Sequence, residues 1–129
     1  MVKLLALIAL AVILFACSPE DLPYSFSDLP PGDAARGAAL FAQSVKGAPA
    51  CANCHAIDDS ASAGPSLQGY GQIAASQVKS QSAAEYTFYS ILRPAKHVVR
   101  GFSNVMYAKY GDQLSQQDVA DLIAYLLGL

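Results

Sequence analysis

The sequence is poor in most of the features that announce an activity. Its eight lysines and arginines never cluster, so there is no basic footprint for nucleic acid. The longest uninterrupted apolar run, Leu4 to Ala16, covers 13 residues, short of the roughly 20 that a membrane-spanning helix needs. No segment alternates apolar and polar residues with period two, which argues against a sheet-based fold. There is no Ser/His/Asp set and no Gly-rich phosphate loop, and the carboxylates are scattered. Nothing therefore points to catalysis or to a small-molecule substrate. Histidine occurs only at His55 and His97, and cysteine only at Cys17, Cys51 and Cys54. With so few, each of these five residues carries weight.

The chain has 129 residues, one domain's worth. Its first sixteen hold a single charge, Lys3, ahead of the apolar run and a small residue, Ala16. This is the pattern of a signal peptide over residues 1–16. Leu14-Phe15-Ala16-Cys17 resembles a bacterial lipoprotein box, which implies a lipid on Cys17 and an anchor on the outer, periplasmic or extracytoplasmic face of a membrane. An odd cysteine in an exported protein needs an explanation, and lipidation supplies one. Without Lys3 the balance is seven basic to ten acidic residues. Such mild acidity hints at partners with basic docking patches.

Residues 17–32 come next as the lipidated cysteine and a flexible tether, because Ser18 to Gly32 holds four prolines. The alternative is an arm lying against the domain through Tyr24, Phe26 and Leu29. The folded head is expected over residues 33–129. Asp33 can cap a first helix, with Gly37, Leu40 and Phe41 on one face and an end before Gly47. Ser82 to Leu92 reads as a helix stopped by Pro94, and residues 72–80 as a short one. In the last helix Ser115 and Asp118 form a capping box, and Leu114 and Val119 a hydrophobic staple. Its buried stripe is Val119, Leu122, Ile123 and Leu126. The head is thus mostly α. Its middle, rich in Gly, Ala and Ser, gives a thin core that needs something to fill it.

Cys51-Ala52-Asn53-Cys54-His55 fits the C-x-x-C-H haem attachment pattern. Two thiols at this spacing can add to the two vinyl groups of one porphyrin, and His55 is then placed to ligate the iron. The rivals are a redox C-x-x-C, which wants a βαβ context that is missing, and a zinc site, which wants four ligands.

With these residues in view, the chain resembles the class I cytochromes c over about residues 33–129, in the order helix, C-x-x-C-H, Gly64-Pro65-Ser66-Leu67, methionine, terminal helix. The resemblance implies a class I cytochrome c fold, about three to five helices around one covalent haem c. It implies that Gly37 and Phe41 cross the terminal helix against Tyr125. It implies that the Pro65 carbonyl accepts from His55 Nδ1 and that Leu67 covers a haem edge. It also implies a distal methionine. Met106 is the one methionine left after signal removal. Its alternatives are a core-filling role, or His97 as the ligand. His97 otherwise reads as a surface or propionate-side residue. The stretch Ile91 to Met106, with Tyr110-Gly111-Asp112 and Asp121 to Leu126 after it, is similar to small cytochrome c domains that act beside haem–copper oxidases. Asp58-Asp59 reads as a solvated turn, and Arg93, Lys96 and Arg100 as a solvated face.

A His55/Met106 pair leaves no open coordination position, which suits an electron carrier. The expected function is a membrane-anchored monohaem carrier moving single electrons between respiratory or photosynthetic complexes, such as a quinol-oxidising complex, an oxidase or a reaction centre. The alternatives are a fixed haem c subunit of one such complex, and a haem gas sensor or peroxidase.

Overall fold

The computed structural model describes residues 22–129. The expected signal over 1–16 and the expected lipid site at Cys17 lie outside the described residues. Five α-helices succeed one another: α1 (Ala34–Phe41), α2 (Tyr70–Gln77), α3 (Ala83–Leu92), α4 (Tyr110–Gln113) and α5 (Gln116–Leu126). Short 3-10 turns occur at Phe26–Asp28, Cys51–Asn53 and Pro94–Lys96. Among the described residues there is no strand, only an isolated bridge between Val45 and Ala48. No described helix is long and apolar enough to cross a membrane. The mostly α expectation holds, with five helices at the upper end of its range.

Local chemistry explains the helix starts. The Asp33 carboxylate accepts from the Ala35 and Arg36 amides at 2.8 and 3.1 Å. The Ser82 hydroxyl accepts from Glu85 N–H at 3.1 Å. The capping box before α5 is complete: the Ser115 hydroxyl accepts from Asp118 N–H at 3.2 Å, and the Asp118 carboxylate accepts from Ser115 N–H at 2.9 Å. Each such cap satisfies amides that a helix start would otherwise leave open. α1 is shorter than expected, ending at Phe41, and the chain then turns through Lys46, at φ 48°, and Gly47. α2 begins at Tyr70, two residues before the expected 72. α4 has no counterpart in the sequence pattern, because four residues show no helical period.

α1 and α5 cross at Gly37. A Cβ there would lie 2.0 Å from the Asp121 carbonyl oxygen, so only glycine permits this approach. Phe41 then meets Tyr125, with ring centroids 5.5 Å apart. Both are the contacts that the family resemblance implied. Beneath the crossing, Phe88, Val119 and Leu122 are almost fully buried. A charged network closes the outside. Arg36 pairs with both Asp118 and Asp121, while Asp121 also accepts from Asp33 N–H at 2.7 Å and from the Gln117 amide at 2.8 Å. Asp121 is wholly buried. Burial alone would raise these two carboxyls. The amide and hydroxyl of Ser115 on Asp118, the Asp33 amide and Gln117 on Asp121, and Arg36 on both outweigh it, so each lies below the usual carboxylate range.

The flexible-tether expectation is corrected for residues 22–32. Tyr24 and Phe26 pack edge-on against Phe88, at centroid distances of 6.2 and 5.8 Å. The Tyr24 hydroxyl donates to Leu114 O at 3.0 Å. Leu22 and Leu29 also pack on the core, and the Gln117 amide donates to Pro31 O at 3.0 Å. The prolines limit the segment's freedom, and its aromatic rings gain more by covering Phe88 than by facing water. Tyr24 has its pKa pushed up to about 12, by burial first and by the Asp118 charge second. Its hydroxyl therefore stays a donor at ordinary pH.

Candidate functional site

A cleft of about 540 Å³ runs between α2, α3 and the segments 49–55, 63–67 and 97–107. Cys51, Cys54, His55, Pro65, Leu67 and Met106 all line it. These six residues, spread over more than fifty positions of sequence, are thus brought to one concave surface. The 3-10 turn Cys51–Asn53 presents the two thiols, neither in a disulfide. Cys51 is half-buried and Cys54 exposed. Burial pushes the Cys51 thiol up, so before any reaction it is held as the neutral S–H.

His55 is oriented by its neighbours. Its Nδ1 lies 2.8 Å from Pro65 O. A carbonyl oxygen can only accept, so Nδ1 carries a proton, and in the neutral tautomer Nε2 is the acceptor that remains. Gly64 lies against the same ring. A Cβ on it would stand 2.6 Å from His55 Cε1, so the loop can approach the imidazole this closely only because a glycine is there. Gly64 N–H donates to Cys54 O at 2.7 Å, Ser62 Oγ donates to the same carbonyl at 2.7 Å, and Leu67 N–H donates to Ala56 O at 2.8 Å. Ser66 Oγ donates to Asp58 O, which leaves Asp58 in a tight turn, with its carboxylate accepting from Ser60 N–H at 3.0 Å.

The opposite wall is built from the Pro94–Tyr107 segment. Val98, Phe102 and Val105 border the cleft and are 39–71% exposed. Met106 is half-buried there and packs on the core. His97 also borders the cleft, but it is exposed, and its ring stands edge-on to Tyr86 at 5.5 Å. The expected solvated face is only partly so. Lys96 Nζ sits 3.4 Å above the Tyr89 ring, and Arg93 Nε is buried.

Two tyrosines to which sequence reasoning gave no role complete the site. Tyr110 donates to Pro49 O at 2.9 Å beside Cys51, and burial raises its pKa. The Tyr70 hydroxyl lies 3.0 Å from Thr87 Oγ1, which itself donates to Ala83 O at 2.7 Å, so Tyr70 is the donor and links α2 to α3. Their only sequence signal is an aromatic ring flanking a glycine-bounded turn, which many core tyrosines share.

The cleft fits a large apolar group with a few polar contacts. Its walls are chiefly hydrophobic, and such pockets hold flat apolar ligands and orient them through a few polar atoms. Four large apolar side chains, Ile73, Val98, Phe102 and Val105, are turned to it with 39–71% of their surface exposed. Ser90 Oγ is buried at its edge with no protein partner. The free Nε2 of His55 and two thiols complete the donor set.

Comparison with known proteins agrees with this geometry. The sequence pattern of the family described as "Cytochrome c" matches residues 34–129. A curated protein named "Cytochrome c" from Ulva intestinalis is 28% identical over 115 residues, covering 79% of this chain and 95% of that protein.

Proposed function

Because this chain belongs to the cytochrome c family, electron-transfer proteins that bind haem c covalently, we propose that it is a single-electron carrier on the outer face of a membrane, with its haem in the cleft and a lipid on Cys17. The observation that carries the reading is the hydrogen bond between His55 Nδ1 and Pro65 O. In the neutral ring that bond leaves Nε2 as the nitrogen available to a metal, and His55 lines the same cleft as the two thiols.

The bound haem supplies an iron centre that gains and loses one electron. The chain's own residues do the rest. The thiols of Cys51 and Cys54 would each hold the haem by adding across one vinyl group, the sulfur bonding to one vinyl carbon and the proton ending on the other. His55 would supply a nitrogen donor to the iron, its ring oriented by Pro65 and Gly64 from two sides. Such outer contacts orient a ligand and raise its basicity. Leu67 covers the edge of the site from the same loop. Met106 would give a soft, uncharged sulfur from the other wall, a ligand that raises the reduction potential. His97, engaged with Tyr86 and exposed, is less suited to the role. With His55 and Met106 both serving as ligands, the metal would be closed to a substrate. Partners are then redox proteins of the membrane, such as a quinol-oxidising complex, an oxidase or a reaction centre.

The test is direct. The chain is expressed with its leader in a host that matures c-type haem. The peptide spanning Cys51 to His55 should gain the mass of one haem, and C51S/C54S should lose it. A redox titration should follow a one-electron curve. Cys17→Ser should move the protein from the membrane to the soluble fraction. A peptide without haem, or a titration needing two electrons, would contradict the reading.

A further inference from the structure

We infer that the docked arm turns the lipid anchor into a short leash that holds the head close to the bilayer with the cleft facing away from the anchored side. The inference rests on the proposed lipid at Cys17. Residues 22–32 are folded onto the head, as the contacts of Tyr24, Phe26 and Gln117 show. Only Ser18 to Asp21 separate Cys17 from Leu22, the first of the described residues, which packs on the core. Covalent geometry limits the path from Cys17 to Leu22 to about 18 Å, against roughly 50 Å if the whole stretch to Gly32 hung free.

The direction of the cleft is set by which faces the arm occupies. On α3 the arm covers Phe88, and Pro23 lies beside Leu92 at Gly111. The cleft uses Tyr86, Thr87, Ser90 and Ile91 of the same helix. The same division holds on α5. Gly32 lies so close to Ala120 that a Cβ would be 2.1 Å from its carbonyl oxygen, whereas Leu122 and Leu126 line the cleft. No residue of the arm lines the cleft. A leash attached at Leu22 therefore leaves the site's mouth free, while limiting how far it can travel. A partner must then reach the cleft from the side turned away from the anchor, yet within the leash's span of the membrane, which suits a membrane complex with a domain that projects from the bilayer.

The measurement is energy transfer from a headgroup fluorophore to the haem, in vesicles carrying the full lipidated holoprotein. The wild type should give one short, narrow distance distribution. Y24A/F26A removes the rings that clamp the arm and should lengthen and broaden it. Ten Gly and Ser residues inserted before Leu22 leave every arm contact in place and raise the root-mean-square reach of a flexible leash from about 12 to about 21 Å. They should lengthen the distance without changing the thermal midpoint. Equal distributions in wild type and Y24A/F26A, or no response to the insertion, would overturn the leash. Failure of the wild type to bind vesicles at all would overturn the lipid reading instead. The two failures are thus told apart.

Discussion

The wall of the cleft that carries Cys51 to Leu67 and the wall that carries His97 to Tyr107 face the same space and are held in different ways. In the first, Gly64, Ser62 and Leu67 all donate to carbonyls at Cys54 and Ala56, and Pro65 holds His55. In the second, the hydrogen bonds among the described residues are local, from Phe102 N–H to Val99 O at 3.1 Å and from Val105 N–H to Ser103 O at 2.9 Å. Its ties to the rest are side-chain packing, through His97 on Tyr86 and Tyr107 on Tyr110. The protein ties one wall by long-range hydrogen bonds and the other by side-chain packing. In the proposed reading this sets a rigid ligand, His55, against an adaptable one, Met106, which suits a thioether on a flexible side chain.

Behind both walls stands the α3–α5 core, and the sharpest way to break the comparison is to damage it. Phe88→Ala removes a fully buried ring that also seats Tyr24 and Phe26. It should cost about 3–5 kcal/mol and lower the denaturant midpoint of the holoprotein. A loss under about 1 kcal/mol, far below the usual cost of such a cavity, would mean that the core is not what holds the walls.

Gly64→Ala tests the rigid wall alone. Its Cβ must displace the imidazole or the Cys54 carbonyl, at a cost of about 1–3 kcal/mol. The reduction potential should shift as well, because the His55–Pro65 bond would lengthen. An equally small addition in the other wall, such as Ser103→Thr, should leave both unchanged.

A smaller effect is expected at the charged network outside the core. Asp118 and Asp121 lie below their ordinary range when folded, so the native state binds fewer protons than the unfolded chain. Their contribution is complete above the unfolded value of about 4 and is lost as pH falls through the lower folded values. Arg36→Met should lower the urea midpoint modestly at neutral pH, because the guanidinium is half-exposed and solvent screens its pairs. It should also flatten the acid limb of the stability curve, as urea midpoints between about pH 2 and 7 would show.

The sequence made these regions legible to unequal degrees, for physical reasons. Local patterns carried far. Ser115 with Asp118, and Asp33 before α1, are caps formed by neighbours in sequence, and both are present. The cysteine–histidine motif is equally plain, since its chemistry lies within five residues. Long-range polar contacts are not. Nothing in the spacing of Asp121 reveals that it is buried under Arg36, or that Tyr110 reaches Pro49 across 61 positions. The arm reads as a tether because proline and serine dominate its composition, whereas Tyr24 and Phe26 decide its energy. Gly37 and Gly64 enter through family resemblance, and the close contacts give the physical reason for both.

The central claim is that His55 and Met106 together close the iron. Optical spectra of the purified holoprotein, oxidised and reduced, with and without carbon monoxide, test it most directly. The account predicts sharp low-spin bands in the reduced protein, a weak far-red methionine–iron band in the oxidised protein, and little response to carbon monoxide. In Met106→Ala the far-red band should vanish and carbon monoxide should bind rapidly. A wild-type protein that lacks the far-red band and takes up carbon monoxide at once would contradict it.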